Sequence, residues 1–342
     1  MNSCLRTWIM LSILLFIIMK SQKFVKGEPL VPCLFLMGSS SFDNGNNNFL
    51  VTMAKSNYPP YGIDYPDGPT GRFSNGRNIP DFLAQFLRFD NPIPPFASAR
   101  GPEILRGVNY ASGEVGIREE TGFHVGDRIS LNRQLLNHKT TISRFSLLLG
   151  RKYYSTSLVY TPDQFAAILI QQYSQQLRTL YSYGARKIAI FGLGRLGCIP
   201  QELAMYPPTN GSSCVEPINN EVQLFNNRLK PMIDDLNSDL PDAKFIYINI
   251  TSISSGDPSA IGIKVVNAPC CIVSTTFAKG FCARGKVPCN NRNEYMFYDN
   301  IHNTEIVNFV TATRAYNATL PADAYPTDIS HLALQYNYIL VL

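Results

Sequence analysis

The spacing of apolar positions changes along the chain, and each change marks an element. Residues 33–37 form a short apolar run ended by Gly38, the pattern of a buried strand, and residues 39–48 are a polar Ser/Asn/Gly loop. Ile79, Phe82, Leu83, Phe86 and Leu87 recur at steps of three and four, which predicts an amphipathic helix. Residues 108–111 suit a short strand. Leu131, Leu135, His138, Ile142, Phe145 and Leu149 return to helical spacing. Thr161-Pro162-Asp163-Gln164 combines an N-cap, a proline at the first helical position and a glutamine three residues on, so a helix starts there and runs towards Gly184. Residues 187–191 and 245–250 read as strands, and Val222, Phe225, Leu229, Ile233 and Leu236 mark the helix between them. Residues 251–293 are loop-rich, and a last helix follows His302.

Strands therefore alternate with helices, and the strands lack polar alternation. Both features predict an α/β fold with a mostly parallel sheet covered on both faces. No internal repeat, low-complexity linker or charge block divides the chain, so residues 28–342 read as a single domain.

The first 27 residues stand apart. Arg6 precedes an apolar run from Ile9 to Met19 broken only by Ser12, and Val25 and Gly27 are small enough for the −3 and −1 cleavage positions. This is the pattern of a secretory signal peptide, and the run is shorter than the ~20 residues a membrane span needs. No later stretch approaches that length, so no stable membrane span is expected. The segment also changes the charge picture. The net charge is +5, but Arg6, Lys20, Lys23 and Lys26 lie in it with no acid; without them 26 basic residues face 25 acidic ones. A nearly neutral chain offers no electrostatic stripe for a nucleic-acid backbone.

Secretion makes disulfides the default for Cys33, Cys198, Cys214, Cys270, Cys271, Cys282 and Cys289, with one thiol left over. Their spacing lacks paired Cys-x-x-Cys motifs and no histidine lies among them, so no metal is implied. Asn-x-Ser/Thr sequons at Asn210, Asn249 and Asn317 become glycosylation candidates in the same compartment.

The candidate chemistry begins with a near miss. Gly192-Leu193-Gly194-Arg195-Leu196-Gly197 matches the dinucleotide-binding Gly-x-Gly-x-x-Gly, which needs a helix opening at the glycines. Pro200 arrives at once, then Pro207 and Pro208, so the segment reads as a strand-to-loop turn. Ser40 lies just beyond the first strand, at the sheet end where open α/β folds bind ligands. A serine nucleophile needs a base. His124 and His138 have no acid at a fixed short spacing, and His138 fits a helix face. Asp299-Asn300-Ile301-His302 and Asp328-Ile329-Ser330-His331 both place an aspartate where it can hold one ring nitrogen and leave the other for a serine proton. Spacing alone does not choose between them.

The loop Gly38-Ser39-Ser40-Ser41-Phe42-Asp43-Asn44-Gly45-Asn46-Asn47-Asn48 resembles the first block of the plant GDSL esterases/lipases, in the SGNH hydrolase superfamily. Further similar blocks run along nearly the whole mature chain: Thr70-Gly-Arg-Phe-Ser-Asn-Gly-Arg77, Gly107-Val-Asn-Tyr-Ala-Ser-Gly113, Gly184-Ala-Arg-Lys187, Gly197-Cys-Ile-Pro200, Cys270-Cys271, Asp299-Asn-Ile-His302 and Tyr325-Pro-Thr-Asp-Ile329. The resemblance implies a secreted serine hydrolase with a three-layer, flavodoxin-like α/β/α fold, acting on lipid or other acyl esters without a cofactor. Carried over by position, Ser40 is the nucleophile, His302 the general base and Asp299 its orienting acid. The backbone N–H groups of Ser40 and Gly113 become oxyanion donors, and His331 falls outside the catalytic block.

Three departures accompany the resemblance. Ser39 stands where the family has aspartate, and Asn303 where it has proline. The third block, Gly-x-Asn-Asp, which supplies an asparagine to the oxyanion, has no counterpart. Residues 142–152 resemble the helix end before it and residues 153–162 the segment after it. Roughly 25 residues of ordinary elements, one central strand included, are then missing between Lys152 and Tyr153, by deletion or a mispredicted splice junction. The alternative expectation is a secreted relative that is catalytically weak or inactive.

Overall fold

Successive residues of a strand point to opposite faces, and here both faces find apolar partners. The computed structural model describes residues 28–143, 161–208, 212–276, 279–335 and 339–341. The strands are β1 (Leu34–Leu36), β2 (Lys187–Phe191), β3 (Lys244–Ile248), β4 (Val265–Pro269), β5 (Tyr295–Phe297), β6 (Ala324–Tyr325) and β7 (Ile339–Val341). The principal helices are α1 (Ile79–Phe86), α2 (Leu131–Ser143), α3 (Pro162–Ser182), α4 (Glu216–Asp239), α5 (Glu305–Tyr316) and α6 (Ile329–Gln335).

Leu34, Leu36, Ala189, Ile246 and Ile248 pack with Phe82 and Leu83 of α1, Ala312 and Ala315 of α5, and Leu332 of α6. Ile188, Ile190, Phe245 and Tyr247 face the other way, onto Leu131 and Leu135 of α2, Leu177 of α3, and Leu229 and Ile233 of α4. A strand with helices on both faces needs no polar positions, which accounts for the uniformly apolar runs. The result is the expected three-layer α/β/α arrangement. Two helix starts, the predicted one at Thr161 and one at Asn78, are capped as well. Thr161 and Gln164 exchange hydrogen bonds at the start of α3. Asn78 and Asp81 do so at α1, where Arg72 also grips Asp81 with two nitrogens at 2.6 and 2.7 Å in a buried ion pair.

The main sheet runs β1-β7-β2-β3-β6, with β6 antiparallel to β3 and the other pairs parallel. β1 and β2 do not pair with each other. The slot between them, where a central strand was expected to be missing, holds the C-terminal strand β7: Leu34 to Leu36 pair with Ile339 to Val341, and Ile188 and Ala189 with Leu340 and Val341. Parallel strands leave unpaired N–H and C=O groups at any gap, so a gap in the middle of the sheet is costly. The chain fills it with a segment drawn from its other end.

Some elements differ from expectation. Residues 108–111 make two isolated bridges at Asn109, with Leu36 and with Pro95, rather than a strand. The segment still lies along the free side of β1, with Leu36 N–H donating to Val108 and Tyr110 N–H to Leu36. Gly107 permits this approach: its φ is +129°, and a Cβ there would lie 1.8 Å from the Leu34 carbonyl oxygen. The six-residue helix Pro200–Met205 after the glycine-rich turn is too short and too late for a dinucleotide site. Helix α6 was not expected. Residues 144–160, including the Lys152 and Tyr153 junction, the segment 1–27 and Asn210 lie outside the described residues.

The cysteines pair as Cys198 with Cys214, Cys270 with Cys289 and Cys271 with Cys282, leaving Cys33 as the buried free thiol. The last two disulfides cross-link the loop region between β4 and β5 and pack with an aromatic cluster of Tyr58, Tyr61, Phe73, Phe281 and Tyr298.

Candidate active site

Beyond β1 the chain turns sharply at Gly38, and the turn is held from several sides. Gln134 of α2 accepts from the Gly38 N–H and donates to its carbonyl, both at 2.9 Å. The Ser39 carbonyl accepts from Phe42 and Asp43 N–H groups. Ser40 is thereby presented at the carboxyl end of the sheet, nearly buried. Among the described residues its backbone N–H has no acceptor.

The asparagines that follow use the amide's ability to donate and accept at once. Asn46 donates to the carbonyls of Asn109 and Ala111, and Asn109 donates back to that of Phe42. Asn47 accepts from the Ser112 hydroxyl at 2.6 Å and donates to the Ala54 carbonyl. Asp43, fully buried, accepts from the N–H groups of Gly45, Asn46, Asn47 and Gly113. Burial pushes its carboxyl up to about 6 against the pull of those four donors. These bonds lock the serine loop to residues 109–113. They also engage the Gly113 N–H, which donates to Asp43 and Asn47 at 3.0 and 3.1 Å. The next residue, Glu114, has φ +62° and a backbone N–H without an acceptor among the described residues.

The second loop comes from the other end of the chain. Asp299 Oδ1 accepts from the N–H groups of Ile301 and His302, both at 2.8 Å, which folds the segment into a tight turn. The same carboxylate lies 2.9 Å from His302 Nδ1, and His302 Nε2 lies 2.7 Å from Ser40 Oγ. An ionised carboxylate only accepts, so it places the imidazole proton on Nδ1 and leaves the Nε2 lone pair facing the serine hydroxyl. The ring is buried against Phe73 and Phe281, with centroids 4.9 and 5.9 Å away. Burial lowers the His302 pKa, but the charge and hydrogen bond of Asp299, with the charge of Glu114, outweigh it and leave the pKa above its ordinary value. Glu114 is itself raised, by burial first.

The other histidines are elsewhere. His331 sits 2.7 Å from Asp328 in a geometry like that of the active pair, but its side chain is 62% exposed on α6. His138 is buried in α2 beside Phe35 and Tyr110, and burial lowers its pKa to about 4. His124 is exposed on the turn Phe123–Val125. Of the sequons, Asn317 is exposed, and Asn249 is half-buried with its side-chain oxygen capping Ser252 N–H. Asp43 lay within the quoted loop, yet its tie to Gly113 had no spacing signal. Gln134, Tyr61 and Glu114 had none either.

The GDSL-like lipase/acylhydrolase family model matches residues 34–312. Among curated proteins, three GDSL esterases/lipases of Arabidopsis thaliana are 44%, 43% and 41% identical to the chain, over 97%, 97% and 94% of it and 99%, 100% and 99% of their own lengths. The first alignment runs over 368 positions, more than the 342 residues present here, so that relative carries residues this chain lacks. A family match across most of the chain, with relatives aligned almost end to end, establishes that this protein belongs to the GDSL-like lipase/acylhydrolase family.

Proposed function

We propose that the protein is a secreted serine ester hydrolase in which Ser40, His302 and Asp299 act as nucleophile, general base and orienting acid. The observation that carries this reading is the line Asp299, His302, Ser40, with contacts of 2.9 and 2.7 Å. The Ser40 hydroxyl proton passes to His302 Nε2 as Oγ bonds to the ester carbonyl carbon. The imidazolium returns that proton to the departing alcohol, and water repeats the sequence to release the acid.

The tetrahedral oxyanion needs free donors. The Ser40 N–H meets that requirement. On the neighbouring segment the Gly113 N–H is engaged by Asp43 and Asn47, and among the described residues the Glu114 N–H has no acceptor. The family's asparagine donor has no counterpart here, and one missing donor costs about 10²–10³ in rate. That gap supports the second reading, a catalytically weak or inactive relative.

Lipid or other apolar acyl substrates are supported by an exposed apolar rim. Phe49 (72%), Val51 (83%) and Phe123 (71%) stand on loops joined by the Asp127 N–H to Val51 bond and adjacent to the serine loop. Three disulfides and the leader-like first 27 residues support an extracellular site, with Asn210, Asn249 and Asn317 as glycosylation candidates. No described helix is long and apolar enough to cross a membrane.

A fluorophosphonate probe on the purified protein tests the assignment. The expected result is an adduct mapped to Ser40 and lost in Ser40→Ala. Equal hydrolysis by both proteins would overturn the serine mechanism, and no labelling at all would favour the inactive reading.

A further inference from the structure

Tyr61 is buried, and its hydroxyl lies 2.6 Å from Asp299 Oδ2. The same hydroxyl accepts the Cys282 N–H at 3.1 Å. A carboxylate cannot donate, so with a lone pair held by Cys282 the phenolic proton has one direction left, towards Asp299. Burial, then the Asp299 charge, raise the Tyr61 pKa well above the ordinary tyrosine value, so the proton stays on the phenol. The division of labour on the carboxylate is then explicit. Both oxygens face the ring nitrogen, Oδ1 at 3.0 Å and Oδ2 at 2.9 Å; Oδ1 is otherwise held by two backbone N–H groups, and Oδ2 has Tyr61 as its other donor.

Cys282 in turn is bonded to Cys271, whose N–H donates to the Tyr298 carbonyl, while the Tyr298 N–H donates to that of His302. One disulfide therefore reaches the catalytic pair from both sides, through Tyr61 to the aspartate and through Tyr298 to the histidine backbone. Tyr58 supplies an internal control. Its hydroxyl donates to the Cys282 carbonyl at 3.0 Å and belongs to the same aromatic cluster, but it does not touch the carboxylate.

We infer that Tyr61 is a positioning residue for hydrolysis, fixing the rotation of the Asp299 carboxylate and relaying the Cys271–Cys282 loop to the catalytic histidine. This rests on the Ser40, His302, Asp299 reading. The charged and titratable groups around the pair are Glu114 beside His302, and Tyr58, Tyr61 and Tyr298 near Asp299, with Arg284 over the Tyr58 ring. The positive end of the Tyr61 O–H dipole faces the carboxylate and opposes the imidazolium. Its removal stabilises the imidazolium, so the His302 pKa rises.

The test compares Tyr61→Phe and Tyr58→Phe, both with their disulfides intact. Tyr61→Phe should lose about tenfold in kcat/KM, the scale of one hydrogen bond to a charged group, mostly in kcat. The acid limb of its pH profile should move up. Tyr58→Phe should leave the limb in place. An NMR titration of the His302 ring, assigned with His302→Gln, should show the same upward shift in Tyr61→Phe and needs no turnover. An unmoved titration in Tyr61→Phe would overturn the inference. A wild-type protein without activity, but with the shifted titration, would overturn the hydrolase reading and leave the positioning role intact.

Discussion

His302 Nε2 lies 2.7 Å from Ser40 Oγ, although 262 residues separate them in the chain. The competing histidine, His331, repeats the same aspartate spacing and almost the same contact with its acid, at 2.7 Å, yet stands exposed on a helix. Local geometry is shared by the two pairs, and only one of them meets a serine.

Replacing each histidine separates the pairs. His302→Ala should lower kcat by about 10⁴-fold or more, the scale of removing a catalytic base from a serine triad. His331→Ala should leave kcat within about twofold, as expected for an exposed side chain away from the reacting atoms. Steady-state rates on a short-chain chromogenic ester measure both, and comparable losses would refute the assignment.

Glu114 should set part of the pH dependence. The base must be neutral to take the serine proton, so activity rises with pH through the His302 pKa. That pKa is raised, with the Glu114 charge among the causes after Asp299. The acid limb should therefore lie above the ordinary histidine value, and Glu114→Gln should move it down, opposite to the effect expected of Tyr61→Phe. A kcat/KM profile of Glu114→Gln identical to wild type would show that the charge is screened from the ring.

Removing the C-terminal strand should weaken the sheet at its centre. Deletion of residues 336–342 leaves β1 and β2 facing each other without their shared partner. Each lost backbone hydrogen bond is worth roughly 0.5–1.5 kcal/mol net, so the whole strand should account for several kcal/mol. Urea unfolding should show a lower midpoint. Amide exchange should quicken first at Phe35, whose groups point to β7 because those of Leu36 are taken by the 108–110 segment. An unchanged midpoint would mean that β7 contributes nothing to stability.

Much of this architecture was legible along the chain. Helical spacing marked α1, α2 and α4, the Thr161 and Gln164 pair marked the start of α3, and uninterrupted apolar runs marked β2 and β3 as covered on both faces. Asp299 and His302 could be paired as well, because three residues place them within one turn. Such features depend on contiguous residues, whose spacing follows directly from the geometry of the backbone. The remainder depended on chain closure. Nothing in the order of residues says that Tyr61 reaches Asp299, that Asp43 engages the Gly113 N–H, or that Ile339–Val341 lies between two strands from other parts of the chain. Those contacts form when the layers pack and buried polar groups must find partners, a requirement with no periodicity to read. The sequence by itself thus determined helices α1 to α5, strands β1 to β3, the oxidised cysteines and two candidate acid and histidine pairs. The tertiary structure alone decided which pair meets the serine, because only packing brings residues 40 and 302 to the same end of one sheet.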